Sequence, residues 1–225
     1  MSADLSGFVR AHARLAPVPH VPELQLYQAA EPIGLWELTE GEFRSEQPPP
    51  FWAFAWAGGQ ALARYLLDHP DTVAGLRVLD LATGSGLVGI AAARAGAATV
   101  RAVDVDPVAG AAAGLNATAN QVPLQVSTGD ALAGDHGDAQ VVLAGDVFYS
   151  EAMASRVLLF LLTAAADGAR VLVGDPDRAF LPRDRFTELA DYQVPVPVAL
   201  ESVAQRHTRV WQLRPPVRRP TRALA

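Results

Sequence analysis

Beyond residue 76 the hydrophobic positions fall into two alternating rhythms. Short apolar runs at Arg77 to Leu81, Thr99 to Val103, Leu124 to Ser127, Gln140 to Ala144 and Arg170 to Val173 predict buried strands. Ala-rich stretches with helical spacing lie between them, at Gly86 to Ala95, Pro107 to Ala119 and Glu151 to Ala165. Strand and helix in alternation imply a parallel sheet with helices on both faces, an α/β fold. Two further runs, Val196 to Leu200 and Thr208 to Leu213, predict an antiparallel pair that closes the sheet edge.

Upstream the pattern is less regular. Leu5, Phe8, Val9 and Leu15 predict a short amphipathic helix after Ser2, broken at Pro17 and Pro19. Leu24 to Tyr27 and Ile33 to Leu38 read as strands. Gln47-Pro48-Pro49-Pro50 imposes an extended segment, because proline fixes φ and restricts its predecessor. After Gly58-Gly59 a helical run, Gln60 to Leu67, ends before Pro70. The organisation expected is an N-terminal extension over residues 1–56 that packs on the core, a main domain over 57–213, and a disordered tail at 214–225.

Composition narrows the function. The 225 residues, half of them hydrophobic, suffice for one sizeable core. A formal charge of −6 disfavours nucleic acid and anionic membrane surfaces, and suits an acidic face for a basic protein partner. There is no cysteine, and all 18 basic residues are arginine, so thiolate zinc sites, cysteine nucleophiles and lysine Schiff bases are excluded. The histidines His12, His20, His69, His136 and His207 form no i, i+4 pair, and no metal site is expected. No run of ~20 apolar residues marks a transmembrane helix, and MSADLSGFVRAHARLAP lacks the features of a signal peptide. A cytoplasmic monomer is the expectation.

The strongest local signal is VLDLATGSGLVGIAAARAG, residues 78–96. A strand runs into Gly84-Ser85-Gly86 and then straight into a helix, the context required of a nucleotide-binding glycine loop. The glycines let the backbone turn and a ligand approach, and the helix start offers free N–H groups. Asp104 ends the next strand, 20 positions after Gly84, where a carboxylate can hold both ribose hydroxyls. Dinucleotides and S-adenosylmethionine both carry adenosine. Asp80, just before the loop, separates them: it would repel a pyrophosphate and attract the ammonium of a methionyl group. Asp130, after the following strand, either accepts from an adenine amino group or makes a local Asx turn. Asp106 reads as the cap of the helix opened by Pro107. Asn116 and Asn120, one turn apart, are expected to bond locally.

Ligands of open α/β sheets lie beyond the carboxyl ends of the strands, where strand order reverses. If the Gln140 strand neighbours the Arg77 strand there, Asp146 and Tyr149 of AGDVFYSE overhang the reactive end of the cofactor. Two readings stay open: Asp146 as the cap of the helix that follows or as a group over the reactive end of the cofactor, with Tyr149 beside it or packed in the core. Trp52 and Trp56, four apart after the prolines, can staple the leading segment to the sheet. Phe51, Phe54 and Phe148 read as packing residues, and Arg178, Arg183 and Arg185 as a solvated basic run.

The loop DLATGSG, the run VDVDPVAG leading to Leu115-Asn116, Asp-Val-Phe-Tyr at 146–149 and Val-Gly-Asp-Pro-Asp-Arg at 173–178 together resemble the seven-strand protein-lysine methyltransferases of family 16. Within that family the likeness is to the electron transfer flavoprotein beta-subunit lysine methyltransferases, over residues 24–213. The resemblance implies a Rossmann-like class I fold, a mostly parallel sheet with an antiparallel C-terminal edge and a short N-terminal extension. It further implies S-adenosyl-L-methionine as cofactor and lysine ε-amines of the electron transfer flavoprotein beta subunit as acceptors. Asp146 and Tyr149 fall on the family's catalytic Asp-x-x-Tyr element, and Trp56 on its cofactor-facing tryptophan. The cofactor set expected is Trp56, Asp80, Thr83, Gly84, Ser85, Gly86, Asp104, Val105, Asp130, Ala131 and Ala144. One departure is Ser150, which stands where these enzymes often carry an acid. Competing readings are a methyltransferase for another protein or a small amine, a nicotinamide-dependent oxidoreductase, and a silent cofactor-binding partner. Asp80 and the missing lysine disfavour the oxidoreductase, and the pairing of Asp146 with Tyr149 argues against the silent partner.

Overall fold

In the computed structural model, which describes residues 4–29, 34 and 49–215, the chain enters through helix α1 (Leu5–His12) and a hairpin of β1 (Ala13–Val18) and β2 (Val21–Ala29). Helix α2 (Ala57–Asp68) leads into the alternating part: β3 (Arg77–Leu81), α3 (Leu87–Arg94), β4 (Thr99–Asp104), α4 (Pro107–Ala119), β5 (Gln125–Thr128), β6 (Val141–Gly145), α5 (Glu151–Ala166) and β7 (Arg170–Asp175). The chain then forms β8 (Phe186–Pro195), the short helix α6 (Val198–Glu201) and β9 (Gln205–Leu213).

Seven strands make one sheet in the order β5-β4-β3-β6-β7-β9-β8. β5 through β7 run parallel, while β9 pairs antiparallel with both β7 and β8. Strand order therefore reverses at β3, where Leu81 pairs with Val103 of β4 on one side and Ala144 of β6 on the other. β6 (VVLAG), at the middle of the sheet, is apolar throughout because both its faces are covered. Val141 and Leu143 of β6 join Leu62, Leu66 and Ile90 in one core. Val142 and Ala144 join Val157, Leu161 and Phe148 in the other.

Three expectations change. The outermost strand is Phe186–Pro195, not Val196 to Leu200, whose last three residues lie in α6. Burial along β8 does not alternate cleanly, with a register irregularity between Glu188 and Ala190, and Pro195 and Pro197 cannot donate to a ladder, so the strand stops where the apolar run begins. Helix α1 is capped by Asp4, which accepts from the Gly7 N–H at 2.8 Å, not by Ser2. It ends at His12, so Leu15 and Pro17 belong to β1, with the register irregularity at Pro17 where the N–H is missing.

The third change concerns Asn116 and Asn120. Asn116 Oδ1 accepts the Tyr27 N–H at 2.7 Å, and Asn120 Oδ1 accepts the Gln25 N–H at 2.9 Å. Asn120 Nδ2 also donates to the Gln25 carbonyl at 2.6 Å, beside its local bond to the Asn116 carbonyl. Two amides on α4 thus moor the open edge of β2, whose backbone groups would otherwise be buried unpaired. The expected strand 33–38, Gly34 excepted, and tail residues 216–225 lie outside the described residues. Among the described residues no helix is long and apolar enough to cross a membrane.

Candidate active site

The glycine loop follows β3 directly, and its turn rests on Gly86, whose φ of +84° starts α3. A Cβ there would stand 3.0 Å from the Cβ of Ala113, so glycine also lets α4 pack against the loop. Asp80 is 1% exposed. Its Oδ2 accepts from the Thr83 hydroxyl and from the Gly89 N–H, the latter at 2.9 Å. Burial pushes its carboxyl up to about 7, against those two donors, with Asp104 adding repulsion. Asp104 in turn accepts from Gly84 N–H at 2.8 Å and Asp106 N–H at 3.0 Å, which fixes the loop to the end of β4. Asp106 caps α4 by accepting from Val108 N–H at 2.8 Å.

A cavity of about 240 Å³ opens over these strand ends. Of the residues expected around a cofactor, Trp56, Asp80, Thr83, Gly84, Ser85, Asp104 and Val105 line it, together with Asp146 and Tyr149. Gly86 shapes the loop without lining the cavity. Asp130, Ala131 and Ala144 do not line it. The Asp130 carboxylate accepts from Leu132 N–H at 3.1 Å, the Asx turn, and pairs with Arg156 at 2.5 Å. Ala144 is buried in the core beneath β6.

Asp146 lines the same cavity just past the end of β6, ahead of α5. Ser150 caps α5, its hydroxyl accepting from Met153 N–H at 3.3 Å, so Asp146 does not. Asp146 instead adopts φ +56°, donates its N–H to the Gly174 carbonyl at 2.9 Å and accepts from Gly59 N–H in the first turn of α2 at 2.8 Å. That contact is possible because α2 meets the sheet backbone to backbone: a Cβ on Gly145 would stand 2.9 Å from the Gly59 Cα, and one on Gly58 would collide with the Gly174 carbonyl. The other oxygen, Oδ1, pairs with Arg178 Nη2 at 3.2 Å. Burial raises the Asp146 carboxyl above its ordinary range, opposed by Arg178 and by the Gly59 amide.

Aromatic rings enclose the space between the two ends. Trp56 donates its indole N–H to the Phe51 carbonyl at 2.9 Å, and the Phe51 ring stands 5.6 Å from that of Tyr149. Tyr149 is 46% exposed, a wall rather than core, and burial followed by Asp104 raises its hydroxyl. Phe51 and Phe54, expected only to pack, line the cavity. Phe148 does pack, edge-on to Phe186 at 6.1 Å in the core. Trp52 does both, lining the cavity while its ring meets that of Phe8 at 6.3 Å.

Arg178 was expected on a solvated basic face and is instead turned inward. Asp175 Oδ1 accepts its N–H at 2.7 Å and so sets the turn after β7. An aspartate three positions before an arginine, just past a strand end, was the available signal. Asp175 is wholly buried, and burial pushes its carboxyl up to about 7. Arg183 pairs with Asp177 at 3.1 Å on the outside of the same turn. Chemically, the cavity offers a buried carboxylate and a glycine loop at one end, an apolar aromatic middle, and a fixed carboxylate for a cation at the other.

Residues 61–147 match the family model for ribosomal protein L11 methyltransferase (PrmA). The chain is 40% identical over 172 residues to the electron transfer flavoprotein beta subunit lysine methyltransferase of Rattus norvegicus, covering 74% of this chain and 68% of that protein. It is 38% identical over 197 residues to the enzyme of the same name from Danio rerio, covering 85% and 76%. Magnesium protoporphyrin IX methyltransferase from Synechocystis PCC 6803, solved with bound SAM, shares the fold with a TM-score of 0.52 at 16% identity, over 80% of this chain and 94% of that one. By these identities the chain belongs to the family of electron transfer flavoprotein beta subunit lysine methyltransferases, S-adenosylmethionine-dependent enzymes of class I fold.

Proposed function

We propose that the protein methylates lysine ε-amines of the electron transfer flavoprotein beta subunit. The observation that carries the reading is the Asp146 carboxylate, buried and doubly held at the end of an aromatic-walled cavity that begins at the glycine loop. The names of relatives about 40% identical supply the acceptor.

The residues present fit S-adenosylmethionine. Asp80, whose carboxyl burial pushes up to about 7, gains a partner in the ammonium of the methionyl group, and Asp104 is placed to accept from the ribose. Trp56 and Phe54 provide apolar surface, and no lysine or arginine of the loop asks for a phosphate. When bound, the cofactor supplies a methyl group activated by its sulfonium.

The chain's own residues must deliver a neutral amine to that methyl. A free lysine with pKa near 10.4 costs about 4.6 kcal/mol to deprotonate at pH 7. Asp146 does not lower that cost, because a carboxylate favours the ammonium. Its part is to bind and aim the amine, holding one N–H while the lone pair faces the cavity. Correct orientation of this kind contributes ~7–11 kcal/mol in favourable cases. Desolvation between Trp56, Phe51 and Tyr149 works against the charged amine, and the half-exposed Tyr149 side leaves a path for the proton to water.

Mass spectrometry of purified electron transfer flavoprotein, incubated with the enzyme and cofactor, tests the assignment. The expected result is a mass gain in multiples of a methyl group on the beta subunit. No gain there, with methylation of another protein or a small amine, would move the acceptor elsewhere within the same chemistry.

A further inference from the structure

Arg178 shares one guanidinium nitrogen between two carboxylates. Nη2 stands 3.2 Å from Asp146 Oδ1, a hydrogen bond, and 3.6 Å from Glu201 Oε1, an ion pair too long to be one. Among the described residues, Glu201 Oε1 is buried without a hydrogen-bond partner, and so is Arg178 Nε. The second Glu201 oxygen is already held by Arg206, at 2.9 Å from Nη2 and 3.0 Å from Nε.

A buried acceptor left unpaired is costly, so the guanidinium has a standing reason to move toward Glu201. Its backbone need not follow, because the N–H of Arg178 stays on Asp175 Oδ1. A shift of a few tenths of an ångström brings Nη2 within hydrogen-bonding distance of Glu201 Oε1, and further rotation of the long side chain about the same anchored backbone clears Asp146 Oδ1. The pair of carboxylates thus defines two positions for one cation, with Asp146 occupied in one and open in the other.

We propose that Arg178 occupies the acceptor-amine subsite on Asp146 in the resting enzyme and passes to Glu201 when a lysine ammonium enters. The inference rests on the reading of the acceptor as an amine. At rest the two arginines, 178 and 206, balance the two carboxylates, 146 and 201. An arriving ammonium takes over the charge on Asp146, and Glu201 receives the displaced guanidinium. A hydroxyl or amide has no charge with which to make that exchange, so the device selects amines. The displaced guanidinium remains beside the amine and disfavours its protonated form, which Asp146 alone cannot do.

The test uses n-butylammonium chloride as a lysine side-chain probe, titrated into the full chain without cofactor while the amide resonance of Gly59, which donates to Asp146, is followed by NMR. No acceptor protein or turnover is involved, so its outcome is separable from the identity of the protein substrate. Arg178→Gln should bind the probe about tenfold more tightly than the unsubstituted protein, because the competing cation is gone. Glu201→Gln should bind it about threefold more weakly, because Arg178 loses its alternative partner. Neutral n-butanol should leave the resonance unmoved. A merely structural Arg178 would give weaker binding on removal, the opposite sign. Equal or weaker binding in Arg178→Gln, unchanged or tighter binding in Glu201→Gln, or a response to n-butanol would overturn the proposal. If Arg178→Gln fails to fold, Glu201→Gln decides alone.

Discussion

Asp146 and Gly59, 87 residues apart, are joined by a hydrogen bond of 2.8 Å from the Gly59 amide to Asp146 Oδ2. The Trp56 N-cap of α2 offers no side-chain acceptor, so the carboxylate at the end of β6 caps that helix from a distance. A negative charge at a helix start is also favoured by the helix dipole. The capping role and the amine-aiming role are therefore compatible: Oδ2 fixes the group on Gly59, and Oδ1, which pairs with Arg178, is the oxygen an amine would take.

Asp146→Asn separates the two roles. The amide oxygen can still accept from Gly59, and Arg178, now facing the amide NH2, has Glu201 Oε1 3.6 Å away to turn to, so the urea midpoint and cofactor affinity should stay near those of the unsubstituted protein. Turnover should fall by about a hundredfold or more, since the aiming charge is lost. Asp146→Ala should in addition cost about 0.5–2 kcal/mol of stability, through the lost cap. Turnover surviving in Asp146→Asn would leave the residue as a cap and nothing more.

The contact behind that bond predicts an inverted glycine effect. Gly to Ala inside a helix ordinarily stabilises by up to ~1 kcal/mol. At Gly58 the added Cβ would stand 2.6 Å from Asp146 Oδ2 and nearer still to the Gly174 carbonyl. Gly58→Ala should therefore destabilise by about 1–3 kcal/mol and displace Asp146. Gly59→Ala, whose Cβ meets nothing closer than 3.8 Å, should be tolerated. Chemical denaturation of the two variants gives the comparison directly.

These glycines also show what the sequence could convey. The apolar period and the loop GSG fix a parallel sheet and its ligand end, because both depend on residues near one another in the chain. Strand β8 escaped because the irregularity between Glu188 and Ala190 breaks its two-residue period. Arg178 escaped because charge type says nothing about direction; its inward turn is set by Asp175, three residues before it, and by Asp146, which only the fold brings near. Asn116 and Asn120 looked like ordinary helical amides, since their partners lie 89 and 95 residues away.

Asp80 makes cofactor affinity depend on pH. Its carboxyl, pushed up to about 7 by burial, is mostly protonated at pH 6 and mostly ionised at pH 8. A bound ammonium favours the ionised form, so affinity for S-adenosylmethionine should rise from pH 6 toward a maximum near pH 8, above which the free α-amine, with a pKa of about 7.7–8.0, loses its proton. Stability should move the other way: the folded value exceeds the ordinary 3.8, so the folded state binds more protons and stability declines as pH rises from about 4 to about 7. Asp175, likewise near 7, adds to that decline without touching cofactor. Calorimetric titration across this range should lose most of its slope in Asp80→Asn, while Asp175→Asn should keep it.

Asn116 couples the N-terminal hairpin to the cofactor loop. Its Oδ1 accepts the Tyr27 N–H at 2.7 Å, and its Nδ2 donates to the Ser85 carbonyl at 2.8 Å. Asn116→Ala strands both groups in a buried setting, at about 1–3 kcal/mol for each left unpaired. The variant should unfold earlier and also bind S-adenosylmethionine more weakly, because the Ser85 turn loses its support. Asn120→Ala is the control: its partners are Gln25 and the Asn116 carbonyl, so it should loosen the hairpin while leaving cofactor affinity close to that of the unsubstituted protein. Hydrogen exchange at Tyr27 should accelerate in Asn116→Ala and exchange at Gln25 in Asn120→Ala, with the calorimetric change confined to the first. Equal loss of affinity in both would mean that the hairpin itself, rather than the Asn116 to Ser85 bond, carries the coupling.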